Sequence, residues 1–279
     1  GKAYRRKSNL ESILLFGLDK DSSYEAFAEY LNKEQNDFLL LVVLDKQENT
    51  CTALPLNRDT MTRVWQLDVN GEPSTSRIEQ LCLAHTYGSG GDESCENTVR
   101  AVENLLFGQT VDHYAALSMD AVPILADLVG GVPVTIDTDM TAVDPRLIEG
   151  ETVTLEGELA LSYVRARQIV SDGTNQSRMA RQEQFLRAAW EAWMEKTASG
   201  DAVELGTDAL VSLGERLRSD CTVQKLSRFL ERIEQCELTV LPAPAGEAKI
   251  SAENIAEFYV DDDALEQTVL ELFYREEIS

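Results

Sequence analysis

Basic residues are scarce in this chain. Its 279 residues include 25 lysines and arginines against 49 aspartates and glutamates, which gives a formal charge of −24. A nucleic-acid-binding protein needs a basic surface, and general attraction to anionic lipid needs one too, so the composition argues against both kinds of partner. Any anionic substrate must therefore be bound by a local group of cations.

Several common signatures are also missing. The chain has no P-loop and no dinucleotide-binding glycine fingerprint. It has only two histidines, His85 and His113, which are too few for a histidine metal cluster and are interpreted as structural. No apolar run approaches the roughly 18 residues of a membrane span, and no signal peptide opens the sequence. Residues 1–11 are interpreted as a linker with a short basic stub, and we expect further sequence before them in the natural protein.

The five cysteines leave two interpretations open. Cys82 and Cys95 match no standard zinc spacing. They are either buried thiols, as in a cytosolic protein, or a disulfide that closes the glycine-rich loop at 87–92. Such a loop would be stabilised by about 3 kcal/mol in the chain-entropy model, and the disulfide would indicate an exported protein. The disulfide is preferred here, and the other three cysteines are left unassigned.

The pattern of apolar residues predicts a mixed α/β fold. Short apolar runs predict strands, and spacing of three and four residues predicts helices. Together they indicate an α-β-α sandwich with a central mixed β-sheet flanked by helices. The predicted strands are 12–18, 38–44, 50–56, 62–68, 113–117, 132–137, 238–241 and 257–260; the predicted helices are 95–106, 119–129, 157–164, 176–197, 202–217, 223–236 and 263–274, with 24–33 a short helix or an ordered loop.

Strand pairing predicts where acidic side chains meet. If strands 12–18 and 38–44 pair antiparallel, Asp19 leaves the sheet at the edge where Asp37 enters it. A returning strand at 50–56 then brings Arg58 and Asp59 to that edge. Each residue alone is best explained as a solvated loop residue. All four together favour a functional site.

Five arginines lie within 23 residues of this acidic chain: Arg165, Arg167, Arg178, Arg181 and Arg187. Arginine makes planar, two-pronged contacts with phosphate oxygens. In an extended segment Arg165 and Arg167 share a face, as we expect if the helix at 157–164 ends before them. Both side chains can then contact one ligand.

The next helix continues this group. Arg178 and Gln182 are four residues apart, and their line continues into Phe185, so both are expected on the buried stripe. They lie near the helix start, where free N–H groups favour anions. Arg181 lies beside them and could face solvent, and Arg187 is expected on the surface.

The alternative for these arginines is a set of structural ion pairs. The acids nearby, Asp172 and Glu183, are too few to neutralise an inward-facing cluster. Carboxylates together with guanidiniums suit a different chemistry, because acidic oxygens hold a hard cation such as Mg²⁺ and both charges neutralise a pyrophosphate. Phosphoryl transfer depends mainly on such positioning and charge stabilisation.

Seven ordered segments between residues 12 and 190 form one series: Gly17–Asp19, Asn36–Asp37, Asn57–Thr60, Asp112–Tyr114, Leu128–Val132, Gly157–Arg167 and Arg178–Gln182. In this order they resemble the LytR-CpsA-Psr family. Three features depart from the family pattern. Gln168 stands where many members have histidine, the segment before Arg178 reads Asn-Gln-Ser where many have Asp-Phe-Gly, and Lys20 replaces a frequent basic or polar neighbour.

This resemblance implies an extracytoplasmic phosphotransferase, anchored in the cell membrane, that moves a glycopolymer from a polyprenyl-pyrophosphate carrier to a hydroxyl of peptidoglycan. It implies that Asp19 and Asp37 hold Mg²⁺ and that Asp59 orients Arg58 or the attacking hydroxyl. Catalysis would involve Arg58, Asp59, Arg165 and Arg167, and the phosphates would contact Arg58, Arg165, Arg167, Arg178, Arg181 and Gln182.

The resemblance also implies a domain plan and leaves alternatives. Residues 12–217 would form the catalytic domain, and residues 218–279 would form a C-terminal extension packed on it. The lipid tail needs an apolar tunnel. The sequence does not distinguish tunnel-lining residues from ordinary core residues, and Ile124, Leu125 and Leu161 fit either role. A non-catalytic sensor of polyprenyl phosphates and a pyrophosphate hydrolase are the competing functions.

Overall fold

The computed structural model describes residues 3–20, 32–166, 175–198 and 202–277. The chain divides into two compact units. Unit 1 comprises Gly1–Ala116, Arg218–Cys221 and Gln235–Ser279, and unit 2 comprises Leu117–Leu217 and Thr222–Glu234. The predicted division into a catalytic domain and an extension at residue 217 stays a prediction. Within the described ranges, no helix combines the length and the apolar character that a bilayer crossing requires.

Six strands come first along the chain, and helices and strands follow in mixed order. Short 3₁₀ helices at Leu81–Thr86, Met119–Ala121 and Gly214–Arg216 connect some of them. The main elements are β1 Ala3–Arg6, β2 Leu10–Lys20, β3 Glu34–Asp45, β4 Thr50–Pro55, β5 Met61–Leu67, β6 Pro73–Gln80, α1 Asp92–Leu105, β7 His113–Ser118, α2 Val122–Leu128, β8 Val132–Thr135, β9 Thr152–Leu155, α3 Gly157–Arg165, α4 Asn175–Thr197, α5 Ala202–Leu213, β10 Leu217–Ser219, α6 Val223–Glu234, β11 Glu237–Val240, β12 Gly246–Ile250, β13 Ala256–Val260, α7 Asp262–Phe273 and β14 Tyr274–Glu277.

A six-stranded sheet organises unit 1. Its strand order is β10-β7-β2-β3-β4-β11. β2, β3 and β4 pair antiparallel in succession, whereas β11 runs parallel to β4. The sheet is therefore mixed, and the predicted α/β class with a central mixed sheet flanked by helices is confirmed.

The two faces of β2 and β3 differ. Alternate residues point to opposite faces of a strand. On one face Leu14, Phe16 and Leu41 belong to the main core cluster, which also takes in apolar residues of α1 and α7. On the other face, the directly paired Leu15 and Leu40 are only half buried. Both faces are apolar, which explains why these strands read as continuous hydrophobic runs.

Unit 2 has its own core. Residues of β8, β9, α3 and α4 build it, among them Val134, Leu155, Leu159 and Phe185. Leu161, a candidate for the lipid tunnel, is also buried in this cluster. The side chain of Gln184 in α4 donates to the carbonyl of Thr135 at 2.8 Å, which fixes α4 on the β8–β9 ribbon.

Several predictions of secondary structure need correction. Residues 3–6 are not part of a linker, because β1 pairs antiparallel with β14. Helix α3 includes Arg165, whereas the sequence predicts that the helix ends at 164. The ribbon partners β6, β9 and β12 were not predicted, because their residues are mostly polar or exposed and give no apolar alternation. The segment 24–33 lies largely outside the described residues.

The preferred disulfide is also wrong. None of the five cysteines takes part in a disulfide, and both Cys82 and Cys95 are fully buried. The sulfur of Cys95 lies 3.7 Å from Nε2 of His85, and Cys82 lies beside Arg58. Burial raises the pKa of Cys95 to about 12, so this thiol is protonated at neutral pH. The cysteines therefore give no support for the prediction that the protein is exported.

Replacing Leu41 by alanine should destabilise the protein strongly. The side chain is fully buried in the core of unit 1, and such truncations cost about 2–5 kcal/mol. Urea unfolding followed by circular dichroism measures the change. Val69→Ala, at a fully exposed position, should shift stability by less than about 0.5 kcal/mol. Equal effects of the two substitutions would contradict the assigned core.

Candidate functional site

The end of the β2–β3 hairpin gathers a group of polar residues that we call the carboxylate–arginine cluster. Asp19 stands directly opposite Gln35 in the antiparallel ladder, and opposite residues share a face, with Cβ atoms about 5 Å apart. Arg58 donates hydrogen bonds to Gln35 and to Asp37. The cluster comprises Asp19, Gln35, Asp37, Arg58 and Asp59.

A β-bulge places Asp37 in this cluster. The register shifts between Gly17 and Leu18, so that Phe38 pairs with Gly17 while Asn36 pairs with Leu18. Asp37 is the additional residue, and a bulge re-aims a side chain in this way. Asn36 points to the opposite face, where its amide donates to Thr98 at 3.1 Å. The carboxylate is therefore directed to Arg58 by the backbone.

The loop that carries Arg58 is fixed by short-range hydrogen bonds. The side chain of Asn57 accepts from the N–H of Asp59 at 2.9 Å, which is the local turn that asparagine favours. The carbonyl of Arg58 accepts from the N–H of Cys82 at 2.8 Å. The amide of Gln80 donates to Asp59 at 3.2 Å. These hydrogen bonds hold the loop that carries Arg58 in one conformation.

Arg58 is a buried guanidinium, with 6% of its surface exposed. It forms an ion pair with Asp37, and its Nε lies 3.7 Å from Asp59. Burial lowers the pKa of Arg58, but Cys82, Asp37 and Asp59 raise it by more. Burial also raises the pKa of the Cys82 thiol. Asp37 and Asp59 are the carboxylates that face this guanidinium.

The formal charges of this cluster indicate what it can bind. One guanidinium shares it with three carboxylates, Asp19, Asp37 and Asp59, so the cluster has a net charge of about −2 if all of them are ionised. A pyrophosphate would be repelled by this charge alone. A hard divalent cation restores the balance, and carboxylate oxygens on a shared face are the donors that Mg²⁺ accepts. The residues present therefore fit Mg²⁺.

Unit 2 holds a second group, which we call the arginine–glutamine cluster: Arg165, Arg178, Arg181 and Gln182. Arg178 is 2% exposed and Gln182 is 5% exposed. Gln182 donates to the carbonyl of Val164 at 3.5 Å, and Arg181 donates to the carbonyl of Ala166. These contacts join the first turns of α4 to the end of α3, where Arg165 is exposed.

The arginine–glutamine cluster has a positive formal charge, whereas the carboxylate–arginine cluster has a negative one. The arginine–glutamine cluster contains three arginines, and the nearby Glu183 is paired with Arg187 at 2.7 Å on the surface. The first turn of α4 contains no acidic residue, and a helix N-terminus favours anions. The predicted burial of Arg178 and Gln182 and the predicted exposure of Arg187 agree with the structure. The cluster therefore suits an anionic ligand.

Some predicted positions cannot be placed and some contacts were missed. Arg167, Gln168 and Asp172 lie outside the described residues. Gln35 was not predicted, although it stands two residues before Asp37 and strand alternation could have drawn attention to it. Gln80 was missed because its strand, β6, was missed.

The sequence of the whole chain was compared with known families. A sequence model of the LytR_cpsA_psr family matches residues 2–272. This chain belongs to the LytR-CpsA-Psr family. The match includes the residues of both clusters and nearly all of the C-terminal region.

A curated relative supports this assignment. The polyisoprenyl-teichoic acid–peptidoglycan teichoic acid transferase TagU of Bacillus mycoides (strain KBAB4) is 26% identical over 262 residues, which cover 92% of this LytR-CpsA-Psr chain and 76% of the relative. TagT of Bacillus subtilis (strain 168), named as the same kind of transferase, is 26% identical over 76% of this chain and 61% of its own length.

Solved structures share the fold. Bacillus subtilis TagV has a TM-score of 0.68 at 22% identity, with 96% of this chain and 97% of that chain covered. The structure titled "TagT bound to LIIa-WTA" has a TM-score of 0.69 at 21% identity and covers 95% of this chain and 90% of that chain. At this identity the likeness establishes the fold of the LytR-CpsA-Psr domain alone.

His85 lies in the 3₁₀ helix Leu81–Thr86 and is completely buried. Burial lowers its pKa to about 4, an effect that Glu34 only partly offsets. The imidazole is therefore neutral at pH 7. Its Nε2 faces Cys95, which is consistent with the structural role predicted for it.

Acid should destabilise the protein through His85. In the unfolded chain its pKa is about 6.5, so between pH 6.5 and 4 the unfolded state binds a proton that the folded state does not. Stability is therefore complete above pH 6.5 and falls as the pH drops toward 4, by about 3 kcal/mol at most. Chemical unfolding at successive pH values, with EDTA present, measures this slope.

His85→Gln should reduce the dependence of the unfolding free energy on pH between pH 6.5 and 4. The part that remains is the contribution of the carboxylates. Val69→Ala, at a fully exposed position without a titratable group, is the control and should keep the slope of the unmodified protein. If the His85→Gln protein lost stability between pH 6.5 and 4 as steeply as the parent, the assigned neutral state of His85 would be wrong.

Proposed function

We propose that this protein is a phosphotransferase that moves a glycopolymer from a polyprenyl-pyrophosphate carrier to a hydroxyl of peptidoglycan during cell wall assembly. Membership of the LytR-CpsA-Psr family and the names of the transferase relatives support this activity. The observation that carries the proposal is a buried, carboxylate-held Arg58 at the end of an apolar strand face.

That strand face suits a lipid-linked substrate. Asp19 and Gln35 are paired on the face of β2 and β3 that also carries the pair Leu15–Leu40. Leu15, Phe38 and Leu40 are apolar and only half buried. A polar cluster at the end of an apolar strip matches a molecule that has a pyrophosphate head and a hydrocarbon tail.

We assign phosphate contacts to residues of both clusters. The residue of unit 1 is Arg58. The residues of unit 2 are Arg165, Arg178, Arg181 and Gln182, and Arg167 is added to them. A guanidinium donates two parallel hydrogen bonds to phosphate oxygens. These hydrogen bonds become stronger as negative charge develops on the oxygens. Arg58, Asp59, Arg165 and Arg167 are the proposed catalytic residues.

The proposed reaction is a displacement at phosphorus. A sugar hydroxyl of peptidoglycan attacks the phosphorus nearer the glycan, a new P–O bond forms, and the bond to the bridging oxygen breaks. Polyprenyl phosphate leaves with that oxygen and its electron pair. The hydroxyl proton passes to solvent water during the attack, and Asp59 orients either Arg58 or this hydroxyl. Mg²⁺ held by Asp19 and Asp37 would supply charge neutralisation at the pyrophosphate.

The site of action follows from the substrate. A polyprenyl carrier is embedded in the membrane, and peptidoglycan lies outside it. We therefore propose that the domain works at the extracellular face of the cell membrane, anchored there in the full-length protein.

Arg178→Lys should lower kcat/KM for glycopolymer transfer by about 10²-fold or more, because a lysine keeps the charge but loses the planar two-pronged contact. The assay follows labelled glycan from a lipid-pyrophosphate analogue onto peptidoglycan fragments. Arg187→Lys, in the same helix but on the surface, should retain activity. Thermal unfolding of both variants verifies that they fold. Equal activity of the two variants would exclude the phosphate role of Arg178.

Removal of the metal should abolish transfer. EDTA should stop the reaction and Mg²⁺ should restore it, because the carboxylate–arginine cluster is net negative without a cation. Asp19→Asn should raise the Mg²⁺ concentration needed for half-maximal rate at least tenfold, whereas Asp120→Asn, an exposed control, should not. Turnover that is indifferent to chelator would refute the metal assignment.

The same assay separates the competing functions. Binding of the lipid analogue without turnover at any Mg²⁺ concentration would indicate a sensor. Release of the glycan phosphate into solution at the same rate with and without peptidoglycan would indicate a pyrophosphate hydrolase. Product linked covalently to peptidoglycan is the result that the proposal requires.

A further inference from the structure

We infer that unit 1 contains a second metal site, for a zinc-like transition ion, formed by His113, Asp220 and Cys221. His113 begins β7, and the other two residues form the turn that follows β10. One ligand atom from each residue lies within 4.8 Å of the others. The three residues take no part in the proposed transfer, so the site is independent of the proposed function.

The ligands are held in place by the backbone. Asp220 accepts the N–H of Tyr114 through Oδ1 at 3.0 Å, which leaves Oδ2 directed at His113. The N–H of Cys221 donates to the hydroxyl of Ser219 at 3.0 Å, and that hydroxyl donates to the carbonyl of Tyr114. The turn is thereby tied to β7, so a metal would find its ligands already assembled.

The histidine has the orientation of a metal ligand. Its Nδ1 lies 3.0 Å from Oδ2 of Asp220, and its Nε2 lies 4.0 Å from Oε1 of Glu11. Two ligands bound at about 2.0–2.1 Å around a tetrahedral centre are separated by roughly 3.3 Å, close to the first distance. A carboxylate near the remaining nitrogen is the usual partner that fixes the tautomer of a ligating histidine.

The donor set selects the metal. A thiolate with an imidazole and a carboxylate suits Zn²⁺ and related transition ions, whereas Mg²⁺ prefers oxygen ligands alone. The site therefore differs in chemistry from the pair Asp19 and Asp37. Three protein ligands leave a fourth tetrahedral position for water.

The surroundings are suited to a cation. A cavity of about 240 Å³ is lined by His113 and Asp220 together with Glu96, Glu103 and Asp112. Arg100 is the one basic side chain of that lining, so the carboxylates dominate the local potential and attract cations. The ion would join β7 to the turn after β10.

Zinc titration of the purified protein tests the site. The apo protein, stripped with EDTA and then dialysed, should bind one Zn²⁺ by calorimetry and should unfold at a higher temperature with zinc present. Co²⁺ should give a thiolate charge-transfer band. Cys221→Ser should remove that band, and both Cys221→Ser and His113→Gln should weaken zinc binding at least tenfold and reduce the thermal shift. Cys236→Ser, at a comparably half-buried thiol, should behave as the parent.

Three results would overturn the inference. The first is absence of zinc binding by a folded parent protein, which would leave His113 and Asp220 as an ion pair only. The second is a Cys221→Ser protein that binds zinc and develops the cobalt band as the parent does. The third is loss of the band in Cys236→Ser, which would place the thiolate ligand elsewhere.

Discussion

The burial of Arg58 is the constraint on which the candidate site depends. A guanidinium removed from water costs several kcal/mol unless anions and hydrogen-bond acceptors compensate it. Asp37 and Gln35 provide that compensation in this protein. Both lie near the start of β3, so the position of the guanidinium depends on the register between β2 and β3 and on the bulge at Asp37. The guanidinium is thus held in place by protein contacts alone, which is the preorganisation that its proposed phosphate role requires.

The same pairing limits the positive charge that Arg58 can offer a ligand. The carboxylates that hold Arg58 also cancel its charge, and Asp19 makes the group net negative. The proposed magnesium ion would compensate these carboxylates. Arg165, Arg178 and Arg181 belong to unit 2, and the phosphate contacts proposed for them would add positive charge in a protein whose total is −24.

Much of this arrangement could be predicted from the sequence, for identifiable reasons. The apolar runs of β2, β3 and β4 are long enough to specify an antiparallel order, which brings Asp19, Asp37 and Arg58 to one edge. The spacing of Arg178, Gln182 and Phe185 specifies one face of a helix. The bulge at Asp37 could not be predicted, because it depends on local backbone geometry that leaves no composition signal. The disulfide prediction failed because loop size was considered without the buried partners of Cys82 and Cys95.

The zinc-like site illustrates a different limit. Sequence searches find metal sites when ligands recur at short spacing, as in paired cysteines. Here His113 and Asp220 are 107 residues apart, and a strand of three residues, β10, joins their segments. Such a strand is too short to give an alternation pattern, so the pairing of β10 with β7 is visible only in the fold. An isolated histidine is therefore interpreted as structural from sequence alone, although tertiary contacts bring it to the carboxylate and the thiol that complete the proposed ligand set.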